Sequence, residues 1–160
     1  MWNYLLSFAG QPPLPPPVTI TGIRFPADGS KPHILSLTTT THGVRDGPDC
    51  FLRHIPDFRS FWTTQQAWRQ RDLEMLRLKN QRLSSCDGLY FLFYSFDFDS
   101  LPENGNVPKA VCGMQRTFAG DAFVVRQKCN ENGDEILGED GWAIWEDVPE
   151  GILSLPVMKT

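Results

Sequence analysis

Gly88 to Phe98, GLYFLFYSFDF, is the longest apolar-aromatic run in the chain, and the other elements have to be arranged around it. Strand alternation puts Leu89, Phe91 and Phe93 on one face and Tyr90, Leu92, Tyr94 and Phe96 on the other. Apolar side chains on both faces describe a central strand with cover above and below. Aromatic residues suit a pleated surface and are poor helix formers. Cys86, Asp87 and Gly88 supply a turn before the run, and Asp97, Asp99, Ser100 and Pro102 close it. A helix is the alternative for an apolar run of this length, and the flanks favour the strand.

A chain of 160 residues is long enough to bury a core of its own. Its net charge of −4 argues against a protein that coats nucleic acid or an anionic membrane surface. The charge is uneven: +4 over residues 1–86 and −8 over residues 87–160. Both halves are needed to cover the central strand, so residues 18–160 are expected to form one domain. The four cysteines (Cys50, Cys86, Cys112, Cys129) are widely spaced with no C-x-x-C, so neither a zinc site nor a disulfide framework is expected. A reducing compartment, cytoplasm or nucleus, is the simpler expectation. The start, MWNYLLSFAG, is apolar but short, lacks a positive n-region and is not read as a signal peptide. No run is long enough for a helical membrane span.

Residues 1–17 read as an apolar tip on a stiff arm. Trp2, Tyr4, Leu5, Leu6 and Phe8 precede Gln11 to Pro17, a polyproline II spacer. The tip either packs on its own domain or docks on a partner or a second copy. Within the spacer, Pro12-Pro13-Leu14-Pro15 resembles the short ligand motif of one class of WW domains.

Val18 to Phe25 and Ile34 to Thr41 alternate and are rich in β-branched residues. With Asp28-Gly29 between them they read as a hairpin with a longer loop. Thr63 with Gln66 forms a capping-box pair ahead of good helix formers, which predicts one main helix over about 63–80 bearing Trp68 and a basic face. Ala110 to Met114 reads as a short strand, Asp121 to Lys128 as a strand and Trp142 to Val148 as its partner. The apolar tail ILSLPVMKT is expected to lie against the core. The expected class is α+β: a mostly antiparallel sheet of about five or six strands, one main helix and a Pro-rich N-terminal arm.

Reactive residue types collect in the loop of residues 42–54: Cys50, His54, His42 and Asp46. A nucleophilic cysteine needs a base within reach and a third group to orient that base, and these types suffice for it. Buried packing is the commoner role of a lone cysteine, and no local signature of a cysteine enzyme is present. Asp97 and Asp99 share a strand face, but they also read as the polar end of a buried strand. Asn130 to Asp140 does not fit the calcium-loop spacing. No phosphate-loop, dinucleotide or zinc-protease motif occurs, so no cofactor or metal is expected.

GDAFVVRQKCNENG followed by GWAIWEDVPE, with IRFPADGSKPHILSL near the start, resembles a group of small fungal proteins of undefined activity. Some of their relatives occur beside MYND zinc fingers. The spaced Cys/His of such a finger are missing here, so the resemblance implies no zinc role and no activity. Three functional readings stand. The first is a non-enzymatic interaction or regulatory domain using Trp2, Tyr4, Pro12, Pro13, Leu14, Pro15 and the exposed part of the helix at Trp68, with a protein partner or a second copy. The second is a small enzyme with Cys50 as nucleophile. The third is a binder of a small apolar ligand in an aromatic pocket.

Overall fold

The computed structural model describes residues 16–40, 55, 57, 73–78, 89–112, 117–138 and 143–158. Seven strands are found among them: β1 (Val18–Phe25), β2 (His33–Thr39), β3 (Leu73–Leu78), β4 (Leu89–Ser95), β5 (Glu103–Asn104), β6 (Phe118–Gln127) and β7 (Trp145–Glu146). They form one antiparallel sheet in the order β2-β1-β6-β4-β3, with β5 and β7 pairing β6 outside that path. β6 is the spine. β4 runs along one of its sides, and β5, β1 and β7 share the other.

The central run behaves as its alternation requires. Tyr90, Leu92 and Tyr94 face one side with Ile23, Phe25, Phe118, Ala122 and Val124. Leu89, Phe91 and Phe93 face the other with Ile20, Leu37, Phe123, Val125 and Trp145. These sides are called face A and face B. Face A is covered by Val107 and Val111, the second from the single helical turn α1 (Lys109–Cys112), and by Val148, Ile152 and Met158 of the C-terminal segment. The tail therefore does pack on the core, through two short 3-10 turns at Ile152–Ser154 and Pro156–Met158. On face B, Phe91 and Phe93 meet the Trp145 ring edge-on, with centroids 5.7 and 6.1 Å away. Phe96 lies beyond the end of β4 and is exposed, as is Phe98.

The expected α+β class with one main helix over 63–80 is overturned. Residues 73–78, inside that span, are strand β3, paired antiparallel with β4 from Leu73↔Ser95 to Leu78↔Tyr90. The remainder of the span lies outside the described residues. The physical reason is the ladder. β4 has one edge on β6, and its other edge carries N–H and C=O groups that need partners. Pairing there outweighs the few tenths of a kcal/mol per residue by which Leu, Glu, Met and Arg favour a helix. The fold is sheet-rich. Among the described residues the only α-helix is α1, a single turn standing where a short strand was expected.

β6 is interrupted near its start. Phe93 pairs with Phe123, yet Ser95 pairs with Ala119, so Gly120 to Ala122 face a single residue of β4. This bulge places Gly120 at φ 68°, a conformation that favours glycine. A second glycine serves a close approach. A Cβ on Gly22 of β1 would lie 2.8 Å from Leu37 Cδ1 and 3.1 Å from the Val124 carbonyl oxygen. Leu37 is fully buried and the carbonyl belongs to the ladder, so neither yields freely. Gly22→Ala is expected to destabilise the fold by about 1–3 kcal/mol in urea titration. An unchanged midpoint would show that the β1–β6 contact is looser than this.

Gln127 ends β6 on face B, between Leu89 and Trp145 in the register. It is fully buried, and neither Oε1 nor Nε2 has a hydrogen-bond partner among the described residues. An unpaired buried amide costs about 1–3 kcal/mol. Gln127→Met removes that cost at similar volume and should raise the denaturation midpoint by a comparable amount. A lower midpoint would mean that the amide is satisfied in solution. No helix among the described residues is long and apolar enough to cross a membrane.

Candidate edge-strand docking site

Trp2, Tyr4, Pro12, Pro13, Leu14, Pro15, His42, Asp46, Cys50, His54 and Trp68 all lie outside the described residues. Just beyond the 42–54 loop, Ile55 is buried on face B, and Asp57 reaches β2. Asp97 acts as a turn residue, accepting from the Ser100 N–H at 3.2 Å. The Asn130 loop is likewise closed by its own side chain, whose Oδ1 accepts the N–H groups of Asn132 and Asp134 at 2.9 Å each. Among the described residues no group of three or more His, Cys, Asp or Glu is placed to hold a metal.

What the fold displays is the outer edge of β2. Among the described residues this strand ends the sheet and pairs with β1 alone, from Val18↔Thr39 to Arg24↔His33. Along an antiparallel strand the backbone groups of successive residues point alternately to one neighbour and the other. The Thr38 N–H points away from β1, because it donates to Asp57 Oδ2 at 2.6 Å. By the same alternation Ser36 and Ile34 present their N–H and C=O groups outward. No hydrogen bond to these outward groups is found among the described residues. The edge is thus capped at one end by the Asp57 carboxylate. At the other it stops at Pro32, which has no N–H. Between the two lies an open segment of β-strand.

Side chains on this segment are unusually available. Ile34 is 42% exposed, His33 and Ser36 are exposed, and Leu35 is half-buried against face B. Ile34 also lines a cleft of about 370 Å³ on face A with Thr21, Val148, Pro149, Ile152 and Leu153. Asp147 and Glu150 bring two carboxylates to the same cleft. Asp147 fixes its wall to the hairpin. Its Oδ1 accepts the Thr21 N–H at 2.8 Å, and the Val148 N–H donates to the Thr21 carbonyl at 3.2 Å. One residue, Ile34, therefore belongs both to an unpaired strand edge and to a neighbouring apolar cleft. A strand added at the edge would gain main-chain hydrogen bonds from the first and a seat for a side chain from the second.

A shallower cleft of about 470 Å³ opens where β1 parts from β7, lined by Val18, Thr19, Ile20, Arg126, Trp145, Glu146 and Asp147. Arg126 spans it, bonding the Asp147 carbonyl through Nη1 at 3.3 Å and lying 3.6 Å from Glu146 Oε2. Its cation is already shared between these two acceptors.

The comparisons with known proteins bear on the fold alone. No family model matches the sequence, and no curated protein matches it. Among solved structures, the crystal structure of the small RNA methyltransferase HEN1 is similar with a TM-score of 0.53 at 12% identity over 94% of this chain. This chain spans only 17% of that much longer one, so the likeness is to the architecture of a part of it.

An open strand edge was hard to read from the sequence because it consists of backbone groups that every residue carries. A signal was present nonetheless: a β-branched run entered through Lys31-Pro32 is a common way to mark an edge strand.

Proposed function

We propose that this chain is a non-enzymatic protein-interaction domain that binds an extended segment at the outer edge of β2. The observation that carries the reading is the pair of outward-facing, unbonded peptide groups at Ile34 and Ser36 beside the Ile34 cleft. Main-chain pairing would give the affinity. The cleft, apolar with carboxylates at Asp147 and Glu150, would favour an apolar side chain followed by a basic one. The N-terminal arm remains part of this reading through its sequence, with Trp2, Tyr4 and Pro12 to Pro15 as its contacts.

The test is selection of peptides from a displayed random library on the immobilised protein. The expected result is enrichment of extended sequences with alternating apolar positions. Their binding should weaken about tenfold or more with Ile34→Lys, which removes an anchor from the interface. Ser36→Pro, which deletes an outward N–H without touching the β1 ladder, should do the same. Enriched peptides that bind both variants as well as the parent would place recognition elsewhere. Removal of residues 1–17 separates the arm from the edge: a loss confined to the truncated chain would assign binding to the arm.

A further inference from the structure

Resting on this reading of the β2 edge, we infer that one occupant of the edge is the β2 strand of a second copy of this chain, joined antiparallel about a two-fold axis at Leu35. The argument is one of register. Two copies of a strand related by a two-fold axis pair residue i with residue j at a constant sum of i and j. Centring on Ile34 would set Ser36 opposite Pro32, which has no N–H to give. Centring on Ser36 would set Ile34 opposite Thr38, whose N–H is already held by Asp57. Centring on Leu35 sets Ile34 opposite Ser36 and Ser36 opposite Ile34. All four outward donors and acceptors of each copy's open segment are then used, giving four hydrogen bonds across the axis. The ladder stops where Pro32 of one copy meets Thr38 of the other, so the missing donor falls opposite the one already occupied.

Charge agrees with this register. The Pro32 end of the edge carries the exposed Lys31, and the Thr38 end carries the Asp57 carboxylate. An antiparallel two-fold brings the basic end of each copy to the acidic end of the other, twice. A parallel pair would set like beside like. On the two faces, Leu35 meets its own symmetry mate, and each Ile34 lies over the partner's Ser36. The joined strands would extend the sheet continuously through both copies. The contact is short compared with a standard interface, so the pair should be concentration-dependent.

The test combines sedimentation with a geometric trap. Leu35 would face itself as a non-hydrogen-bonded pair with Cα atoms about 4.5 Å apart, within reach of a disulfide. Mild oxidation of Leu35→Cys should give a covalent dimer that peptide mapping assigns to a 35–35 link. Ile34→Cys, two registers from its own mate, should give far less. The unmodified chain should show a monomer–dimer equilibrium in sedimentation velocity, weakened about tenfold or more by Ser36→Pro. A monomer at concentrations up to about 1 mM, where even a weak pair would assemble, overturns the inference. So does a dimer that Ser36→Pro leaves unchanged. If Leu35→Cys folds poorly, the effect of Ser36→Pro on sedimentation decides alone. A strictly monomeric chain that still binds selected peptides at the edge would sink the self-pairing and leave the interaction reading standing.

Discussion

Replacing Asn104 with Asp should destabilise the protein by about 3–5 kcal/mol at neutral pH. Asn104 is almost fully buried. Its Nδ2 donates to the Phe25 carbonyl at 2.8 Å and the Gly120 carbonyl at 2.9 Å, and its Oδ1 accepts the Asn106 N–H at 2.9 Å. One amide thus joins the end of β1, the bulge of β6 and the loop after β5. A carboxylate would keep the third bond and turn the other two into oxygen–oxygen repulsion inside the core. The variant should recover part of its stability on acidification. Repulsion and burial raise the folded-state pKa of the new carboxyl above its unfolded value, so the folded form takes up the proton first and gains one donor. Urea titrations at pH 7 and at about pH 5 would therefore show a narrowing gap to the parent. A gap that widens as the pH falls would contradict the geometry.

Asp121→Ala should cost about 2–4 kcal/mol, the next largest effect expected. The bulge aims Asp121 off the ladder, where Oδ2 accepts from Arg24 Nε at 2.7 Å and forms an ion pair with the same guanidinium. Oδ1 accepts the Ala27 N–H at 2.8 Å. The carboxylate is only 12% exposed and Arg24 30%, so screening by water weakens the pair without removing it. Alanine leaves a half-buried cation and an orphaned backbone donor at the turn into β2. Asp121→Asn retains an acceptor for Ala27 and should cost roughly half as much. A double-mutant cycle with Arg24→Met, read by denaturation midpoints, isolates the ion pair. A coupling near zero would reduce Asp121 to a turn cap. Both residues would bear on the proposed function by the same route. They hold the β1–β2 hairpin to the β6 spine, and the hairpin presents the open edge.

The strands legible in the sequence are those whose side chains alternate against a buried face. β1, β2, β4 and most of β6 carry that pattern themselves, and the split of β4 into Leu89-Phe91-Phe93 and Tyr90-Leu92-Tyr94 is the split between the two cores. β3 was not legible. Leu73 to Leu78 consists of good helix formers, and its strand state depends on a hydrogen-bond partner more than ten residues away in sequence. The Gly120 bulge and the Asn104 bonds are equally non-local. The site shows the same division. A search by reactive type leads to Cys50, His42, His54 and Asp46, because catalysis selects unusual side chains. The recognition proposed at the β2 edge would run through peptide groups common to every residue, and only strand order tells which of them are unpaired among the described residues.

By itself the sequence determined that the aromatic run would be a strand covered on both faces, that a hairpin would precede it and that the acidic half would supply further strands. These follow from local alternation and turn chemistry, which neighbouring residues decide among themselves. Tertiary structure alone decided that residues 73–78 would join the sheet, that β6 would be its spine and that β2 would end it. Each is a choice among partners for the same backbone groups. Such a choice is settled by which ladder buries the most apolar surface and leaves the fewest donors unmet, a comparison that exists only once the whole sheet is assembled.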